Sequence, residues 1–503
     1  MPVPKILGIE TEYGIVHRGV DDSNPISASS LLINAYLGTQ SEPGAGPGSP
    51  RVGWDFIDET PQNDVRGFSH IGGMAPEVET HLVNAVLTNG ARYYVDHAHP
   101  ELSTPECADA MSVLRHDRAA EQIVVESMRA ANQVLPDGEE LVIYKNNSDG
   151  KGNSYGCHEN YLMDRTTPFA RIVQHATTHF VTRQVFTGAG KVGCEAPWIP
   201  TGAVPFQLTQ RADFFEEEVG LETTLKRPII NTRDEPHADP ALYRRLHVIV
   251  GDANLCEVAT FLKLGTTAIV LAMVEADFLD PSLLIADPVR SLQAVSWDTG
   301  LKQPLMLGDG RTATAVDLQW EFLDQAQKYV LEHGTDLIGG SVADDVLTRW
   351  EGVLASLETD PSDLVGVVDW ITKRHLLDGL RERHELEPGD ARLAALDLQY
   401  HDLRPERSLF ARVGAETLVD LGAVTVAMEQ PPEDTRAYFR GRCLQRWPDE
   451  IVAANWDSMV FDLGDNTLRR IPMMEPIRGT RDHVGTLLDE CRTVPELLSR
   501  LSA

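Results

Sequence analysis

Two patterns of apolar positions divide the chain into a strand-rich part and a helix-rich part. Apolar residues alternate with polar ones in KILGIETEYGI, which begins at Lys5, and in RRLHVIVGDAN, which begins at Arg244. A period of two predicts β-strands. Between about residues 317 and 403 the apolar residues recur at three- and four-residue steps, as at Leu347 and Trp350, and this period predicts packed helices. The two patterns together predict an α+β fold.

An irregular segment follows the first strand and the first helix. The stretch NPISASSLLINAYLG predicts a capped helix, and residues 39–73 after it are rich in proline and glycine at the start and show little periodicity. A long insertion of this kind in a compact enzyme is either disordered or a functional flap. Trp54, Phe56 and Phe68 favour an ordered or conditionally ordered flap.

The remaining elements suggest one large domain and one small one. The stretch ELVIYKNNSDGKGNSYGCHENYLM contains two alternating runs around a polar, glycine-containing turn, which predicts a β-hairpin. Mixed, proline-containing sequence returns after the helical region, from about QPPEDTRAYFRGRC. We predict a large domain over residues 1–430, with the flap at about 39–73 inserted into it, and a small C-terminal domain over residues 431–503.

Composition excludes several classes of protein. The 503 residues are 42% hydrophobic and 24% charged, which is enough to bury a sizeable core. The formal net charge is -32, and a nucleic-acid or anionic-membrane binder would instead need clustered Lys and Arg. No apolar run reaches the length of a membrane span, and TTAIVLAMVEA predicts a buried helix. We therefore expect neither a nucleic-acid partner nor a membrane partner.

Cysteine usage and the N-terminal sequence predict the cellular compartment. The six cysteines are far apart and form no C-x-x-C pair, so the sequence indicates neither a zinc site nor a disulfide framework. The first strand follows Lys5 where a signal peptide would carry a long apolar run. A cytoplasmic protein with reduced thiols is the expectation.

Glu10 and Glu12 lie two apart in the first strand, so their side chains share one face. Two adjacent carboxylates repel each other unless a cation or solvent relieves the repulsion. The strand is therefore either an edge strand with a solvated face or one wall of a divalent-metal site, because paired oxygens suit magnesium.

The stretch GARYYVDHAHPELSTPE carries the densest set of chemically active residues. Arg92, Tyr94 and Asp96 fall on one strand face, and Glu101 follows closely. This stretch is either a polar loop at a strand end or part of a nucleotide site, in which arginine binds phosphate and carboxylates bind magnesium.

Two later predicted strands also carry histidines next to other polar residues on one face. His158 and Asn160 are cofacial in NSYGCHENYL, and Arg245 and His247 are cofacial in RRLHVIVGDAN. A single strand histidine is more often a hydrogen-bonded core residue, but several strands that each present acids, arginines or histidines indicate a polar functional face. Arg211 is either an exposed surface residue or part of the positive charge that an anion-binding enzyme must concentrate locally.

These motifs together resemble those of the Pup ligase and Pup deamidase/depupylase family, which is related to glutamine synthetase and the carboxylate-amine ligases. The resemblance rests on GIETEYGI, NGARYYVDHAHPELSTPE, YKNNSDGKGNSYGCHENYL, RRLHVIVGDAN, ANWDSMVFDL and PIRGT, and it covers nearly the whole chain. The inserted segment and the form HAHPE after Asp96 resemble the depupylase branch more than the ligase branch. The resemblance implies a glutamine-synthetase-like catalytic domain, with a curved antiparallel sheet packed against helices, and a small C-terminal domain.

The same resemblance implies ATP and magnesium as cofactors and assigns residues to them. The implied metal-binding residues are Glu10, Tyr94, Glu101, His158 and His247. The implied nucleotide-binding residues are Arg92, Ser103, Thr104, Arg245 and Trp456. Glu12 matches the motif and either ligates the metal or shapes its site.

The implied reaction is hydrolysis of an amide at the C-terminal side chain of Pup, and Pup and pupylated proteins are the implied partners. Asp96 is the implied central catalytic group, acting either as a nucleophile or as a base that activates water. Arg211 would stabilise the oxyanion. The bound ATP would be a cofactor and not a fuel, because amide hydrolysis is downhill without it.

Three other interpretations stay open from the sequence. The chain could be a ligase that joins the terminal glutamate of Pup to a lysine. It could also be a regulatory ATP-binding protein that presents Pup without performing chemistry. A ligase for small-molecule amines comes last, because it leaves the insertion and the long central motif unexplained.

Overall fold

A mixed sheet of ten strands spans the described part of the computed structural model, which covers residues 2–40, 52–57, 59–67, 82–387, 389–464 and 467–501. In order across the sheet, the strands are β13 (Tyr243–Val248), β8 (Cys157–Asp164), β1 (Leu7–Glu12), β6 (His99–Ser103), β5 (Arg92–Asp96), β4 (Asn84–Val86), β3 (Gly53–Trp54), β16 (Ile451–Ala454), β17 (Ser458–Asp462) and β18 (Leu468–Pro472). Four two-stranded pairs accompany it: β2 (Gly14–Arg18) with β7 (Glu140–Tyr144), β9 (Lys191–Val192) with β10 (Phe206–Gln207), β11 (Phe215–Gly220) with β12 (Arg227–Asn231), and β14 (Leu305–Met306) with β15 (Thr312–Ala313).

Helices cover one face of the sheet and form most of the second half of the chain. They are α1 (Pro25–Thr39), α2 (Ala110–Val134), α3 (Phe169–Thr182), α4 (Gln184–Thr187), α5 (Glu257–Glu275), α6 (Pro288–Trp297), α7 (Ala315–His333), α8 (Ser341–Thr359), α9 (Asp369–His384), α10 (Ala391–Tyr400), α11 (Leu421–Ala427), α12 (Ala437–Arg446), α13 (Arg481–Glu490) and α14 (Val494–Leu501). The predicted α+β class is confirmed. The predicted cap of α1 is also present, because the side chain of Asn24 accepts from two backbone N–H groups in its first turn.

Helix α5 forms the centre of the core. It is long and apolar enough to cross a membrane, but every residue of that apolar window is buried within the protein. It packs against α3, α8 and the sheet, in agreement with the buried helix that the sequence predicted.

The two faces of the central strands differ sharply in chemistry. Ile9, Tyr93, Leu102 and Leu246 point to the helical side and are almost fully buried in apolar clusters. Their neighbours one position along each strand point to the other side and carry the acids, arginines and histidines. The period of two in the sequence therefore separates the core from a polar face.

One strand pairing departs from the antiparallel sheet that was predicted. Strand β3, inside the predicted flap, pairs in parallel with β16 near the C-terminus, while the other pairings in this sheet are antiparallel. Val52 and Trp54 also share an apolar cluster with residues of the C-terminal region, such as Phe439. Of the predicted flap at 39–73, residues 41–51, 58 and 68–73 lie outside the described residues. The division at residue 430 stays a prediction.

The predicted hairpin is wrong. Strands β7 and β8 do not pair with each other, because β7 pairs with β2 and β8 lies between β1 and β13. Residues 145–156 form a loop between them. Its last residue, Gly156, contacts Glu12 on the polar face of the sheet.

Candidate functional site

The first cluster of candidate ligands lies where three adjacent strands meet. Glu10 of β1 is paired directly with His158 of β8, and His247 of β13 lies on the same face. Glu10 Oε1 is 3.7 Å from His158 Nδ1 and 3.4 Å from His247 Nδ1. The three side chains place one potential ligand atom each within 4.8 Å of one another.

Asn160 connects this cluster to Arg245, which is a candidate for binding phosphate. Its Nδ2 donates to Glu10 Oε1 at 3.2 Å, and its Oδ1 accepts from Arg245 Nη1 at 2.8 Å. Oδ1 also lies 2.9 Å from His247 Nδ1. An amide oxygen only accepts, so this contact places the proton on Nδ1 and leaves Nε2 of a neutral His247 with a free lone pair. The sequence had placed Asn160 on this face without assigning it a role.

Both histidines are electrically suited to bind a cation. Burial lowers the pKa of His158 to about 4. Burial, followed by the positive charges of Arg245 and Arg233, lowers the pKa of His247 well below its ordinary value. Neutral imidazole is the form that ligates metal, so no proton has to leave either ring at neutral pH.

The second cluster consists of three acids. Glu12, Asp96 and Glu101 also place one oxygen each within 4.8 Å of one another. Burial raises the pKa of Glu101 well above its ordinary value, and the negative charges of Asp96, Glu10 and Glu12 raise it further. The Tyr94 hydroxyl bonds to Glu101 and only partly opposes this rise. Three buried or half-buried carboxylates in this arrangement are unfavourable without a positive charge among them.

Glu12 is held in place by its surroundings. Gly156 N donates to Glu12 Oε1 at 2.8 Å, and His99 Nδ1 lies 3.4 Å from Oε2. Burial alone would raise the pKa of Glu12, but the bond to His99 and its charge, together with the Gly156 N–H, lower it. A Cβ atom at Gly156 would lie 2.3 Å from a ring nitrogen of His158, so glycine is required there for the loop to approach both clusters.

The donor atoms of both clusters fit a divalent cation. Carboxylate oxygens suit magnesium, and a site of one carboxylate and two imidazoles suits manganese and other first-row divalent ions as well. The sequence had assigned Glu10, His158, His247, Glu101 and Tyr94 to one set. In the structure the first three form one cluster, and Glu101 lies with Glu12 and Asp96 in the other.

A cavity opens beside the first cluster. Glu10, Ser103, Thr104, Arg245 and Trp456 all line it, as do apolar residues of β1. A positive arginine near the cation ligands and an indole further along fit a nucleotide, which combines phosphates with a flat base. Four of the five predicted nucleotide-binding residues therefore share one cavity.

Arg92, the fifth, is held rigidly next to that cavity. Its guanidinium carbon lies 4.0 Å from the ring centre of Trp54 and 3.9 Å from that of Tyr94, and its Nε donates to Asn84 Oδ1 at 3.0 Å. Stacking between two rings fixes the plane of the guanidinium group. Sequence reasoning noticed Trp54 only as an aromatic residue in an irregular segment.

Arg211 lies next to Ser154, in the loop that precedes β8, and is only 1% exposed. It donates to the carbonyl oxygens of Ile249 and Gly251 and to Ser154 Oγ. Burial and the like charge of Arg227 lower its pKa to about 10, while Glu12 stabilises its charge. The arginine stays protonated at neutral pH and adds positive charge beside Glu12.

Comparison with known proteins identifies the family. A family model described as "Pup-ligase protein" matches residues 5–460. The chain belongs to this family.

Family members of both types are similar to the chain, to different degrees. It is 53% identical to the "Depupylase" of Acidothermus cellulolyticus and 47% identical to the "Pup deamidase/depupylase" of Mycobacterium tuberculosis, each over 99% of both chains. It is 40% identical to the "Pup--protein ligase" of Nakamurella multipartita, over 81% of this chain and 90% of the ligase.

Two solved structures of the family share the fold. The complex of Pup with its ligase PafA matches with a TM-score of 0.80 and 30% identity, over 99% of this chain and 94% of the ligase. PafA in complex with ADP matches with a TM-score of 0.73 and 32% identity, over 84% of this chain and 95% of the ligase. These matches confirm the predicted glutamine-synthetase-like fold class.

Proposed function

We propose that this family member is an amidohydrolase that converts the C-terminal glutamine of Pup to glutamate and cleaves the isopeptide bond between Pup and a substrate lysine. The names of the relatives that are 46–53% identical over the full chain support this activity. The observation that supports a catalytic role is the position of Asp96, which is only half-buried and lies within the acidic cluster.

Both reactions consume one water molecule and break one carbon–nitrogen bond. Deamidation yields the glutamate carboxylate and ammonium, and isopeptide cleavage yields the same carboxylate and a free lysine ammonium group. Asp96 either attacks the carbonyl carbon itself or takes a proton from the attacking water. Arg211 supplies positive charge for the oxyanion that forms.

We propose magnesium and ATP as cofactors, with ADP bound to the related PafA as support for the nucleotide. Glu10, His158 and His247 would hold one cation, and Glu12, Asp96 and Glu101 would surround a second. A bound cation supplies positive charge that polarises the amide carbonyl. Tyr94, whose hydroxyl bonds to Glu101, would belong to the metal site. The phosphate contacts would come from Ser103, Thr104, Arg92 and Arg245, and Trp456 would stack near the adenine.

We propose that the chain acts on Pup and on pupylated proteins in the cytoplasm. The six cysteines are all unpaired in the structure, which agrees with a reducing compartment. Pup in complex with the related PafA supports Pup as the partner.

The test mixes the purified protein, magnesium and ATP with glutamine-ended Pup, and in a second reaction with a pupylated protein. Mass spectrometry should detect glutamate-ended Pup in the first reaction and release of the unmodified target in the second. Asp96→Asn should lower both rates about 1,000-fold, in the range of a lost acid–base group, with an unchanged unfolding midpoint.

A ligase is the second candidate, because both solved structures above are ligases. It would join glutamate-ended Pup to lysines and would consume ATP in stoichiometric amounts. That result in the same assay would overturn the hydrolase proposal, and full activity of Asp96→Asn would overturn the role of Asp96.

A further inference from the structure

The turn between β5 and β6 forces an uncommon backbone conformation on one residue. Asp96 and His99 close the hairpin as a strand pair, and His97 and Ala98 form the two-residue turn between them. His97 has a φ of 51°, in the left-handed region that few residues other than glycine adopt. Histidine enters this region more often than most residues, and such strain gathers where a local geometry is needed for function.

The imidazole of His97 contacts the carboxylate of the preceding residue. His97 Nδ1 lies 2.9 Å from Asp96 Oδ2. The side chain of His97 is 57% exposed and that of Asp96 is 32% exposed, so burial does not force the two groups together. The contact is made at the turn that joins β5 to β6, between residues that follow each other in the chain.

We propose that His97 is a positioning residue, which fixes the carboxylate of Asp96 toward the acidic cluster. This inference rests on the proposed function of Asp96. It concerns a side chain that needs no contact with substrate, cofactor or cation.

The electrostatics of the cluster explain why such an anchor is needed. Asp96 is the last residue of β5, and Glu12 and Glu101 lie close enough to repel its charge. Repulsion favours rotation of the Asp96 side chain toward solvent, which is accessible at this end of the strand. A hydrogen bond from His97 to one oxygen opposes that rotation and keeps the carboxylate beside the other two acids.

Three substitutions at position 97 separate the hydrogen bond from the backbone strain. His97→Gly removes the ring and suits the left-handed turn, His97→Asn also tolerates this turn and retains a donor, and His97→Ala removes the donor while keeping a Cβ. Asp277→Gly is the matched control, because Asp277 also has a positive φ of 56° and lies just after α5, outside the site.

The measurements are kcat and KM for hydrolysis of glutamine-ended Pup, and the Mn²⁺ affinity by calorimetry. His97→Gly should lower kcat about tenfold, as expected for a lost bond to a charged group, and leave KM within about twofold. It should weaken Mn²⁺ binding about tenfold, because groups that orient ligands affect affinity on this scale. In His97→Asn, kcat and the Mn²⁺ affinity should both stay within about threefold of those of the unmodified chain. In His97→Ala, both quantities should fall at least as far as in His97→Gly. Asp277→Gly should change neither kcat nor the Mn²⁺ affinity.

Unchanged kcat and Mn²⁺ affinity in His97→Gly would overturn the inference. Equal losses in His97→Asn and His97→Gly would also overturn it, since the donor would then not matter. If the unmodified chain hydrolyses neither substrate, the proposed function fails, and the Mn²⁺ titration of the same variants still decides the role of His97.

Discussion

Two glutamates five positions apart, Glu101 and Glu106, lie in opposite electrostatic surroundings. Burial raises the pKa of Glu101 well above its ordinary value, and three neighbouring acids add to the rise. Burial acts on Glu106 in the same direction, but Arg440 and Arg436 more than offset it and hold its pKa at about 2. The two pKa values move in opposite directions because Glu106 contacts two arginines, whereas Glu101 is surrounded by acids.

The comparison indicates what each region is for. Glu106 bonds to both arginines, with an oxygen 2.7 Å from Arg436 Nε and a second contact to Arg440, so its charge is balanced within the chain. Glu101 lies among acids and lacks a comparable arginine partner among the described residues. Two arginines of the chain balance the charge of Glu106, whereas a cation bound from solution would relieve the repulsion around Glu101.

The largest expected effect comes from removing the charge of Glu106. Glu106→Gln would leave two buried arginines without their shared partner and should lower the free energy of unfolding by about 3–5 kcal/mol. Denaturant unfolding of both proteins would measure the change. The control is Glu433→Gln, because Glu433 and Arg481 form an exposed pair whose loss should leave the stability nearly unchanged. Equal effects in the two variants would refute the proposed contrast.

The pH dependence of stability should show the same contrast. The folded pKa of Glu106, about 2, lies below its ordinary value of 4.5, so the unfolded chain takes up the proton first as the pH falls. The contribution of Glu106 is therefore complete above about pH 4.5 and is lost toward pH 2, by about 3 kcal/mol in total. Between pH 5 and pH 3, the free energy of unfolding should fall more steeply with decreasing pH for the unmodified chain than for Glu106→Gln. Parallel curves would contradict this assignment.

Glu101→Gln should have a smaller effect, of opposite sign. In a chelator, the variant should be more stable by about 1 kcal/mol, because a neutral amide relieves repulsion among the acids. Its affinity for Mn²⁺ should fall about tenfold, because one anionic ligand is lost. Thermal unfolding with and without Mn²⁺ would measure both changes. A variant that is less stable in the chelator would show that Glu101 supports the fold in its own right.

The sequence predicted most of the polar face from a single rule. Side chains two apart on a strand share a face, and this rule placed Glu10 with Glu12 and Arg245 with His247 before any fold was known. It also separated the polar face from the core face. Which strands are neighbours was beyond this rule, because pairing depends on contacts between residues far apart in the chain.

The features that the sequence did not predict depend on which segments are neighbours in the fold. The hairpin prediction failed because β7 and β8 are adjacent in sequence but pair with β2 and β1. The separation of Glu101 from Glu10 into different clusters depends on strand register and side-chain direction. The rigid stacking of Arg92 depends on Trp54, which reaches it from a segment without periodicity, so no pattern in the sequence could have indicated it.

The parallel pairing of β3 with β16 has a consequence for the order of folding. It joins Gly53 to Ala453 and Trp54 to Ala454, so segments 400 residues apart must meet before the central sheet is continuous. Contacts between such distant residues form slowly, because a long loop must close first. On the ribosome, the strand edge at Gly53 waits for a partner that is synthesised 400 residues later, together with Trp456 of the cavity beside Glu10. A prematurely terminated chain would therefore present an unpaired strand edge, which favours aggregation, and would lack a complete cavity.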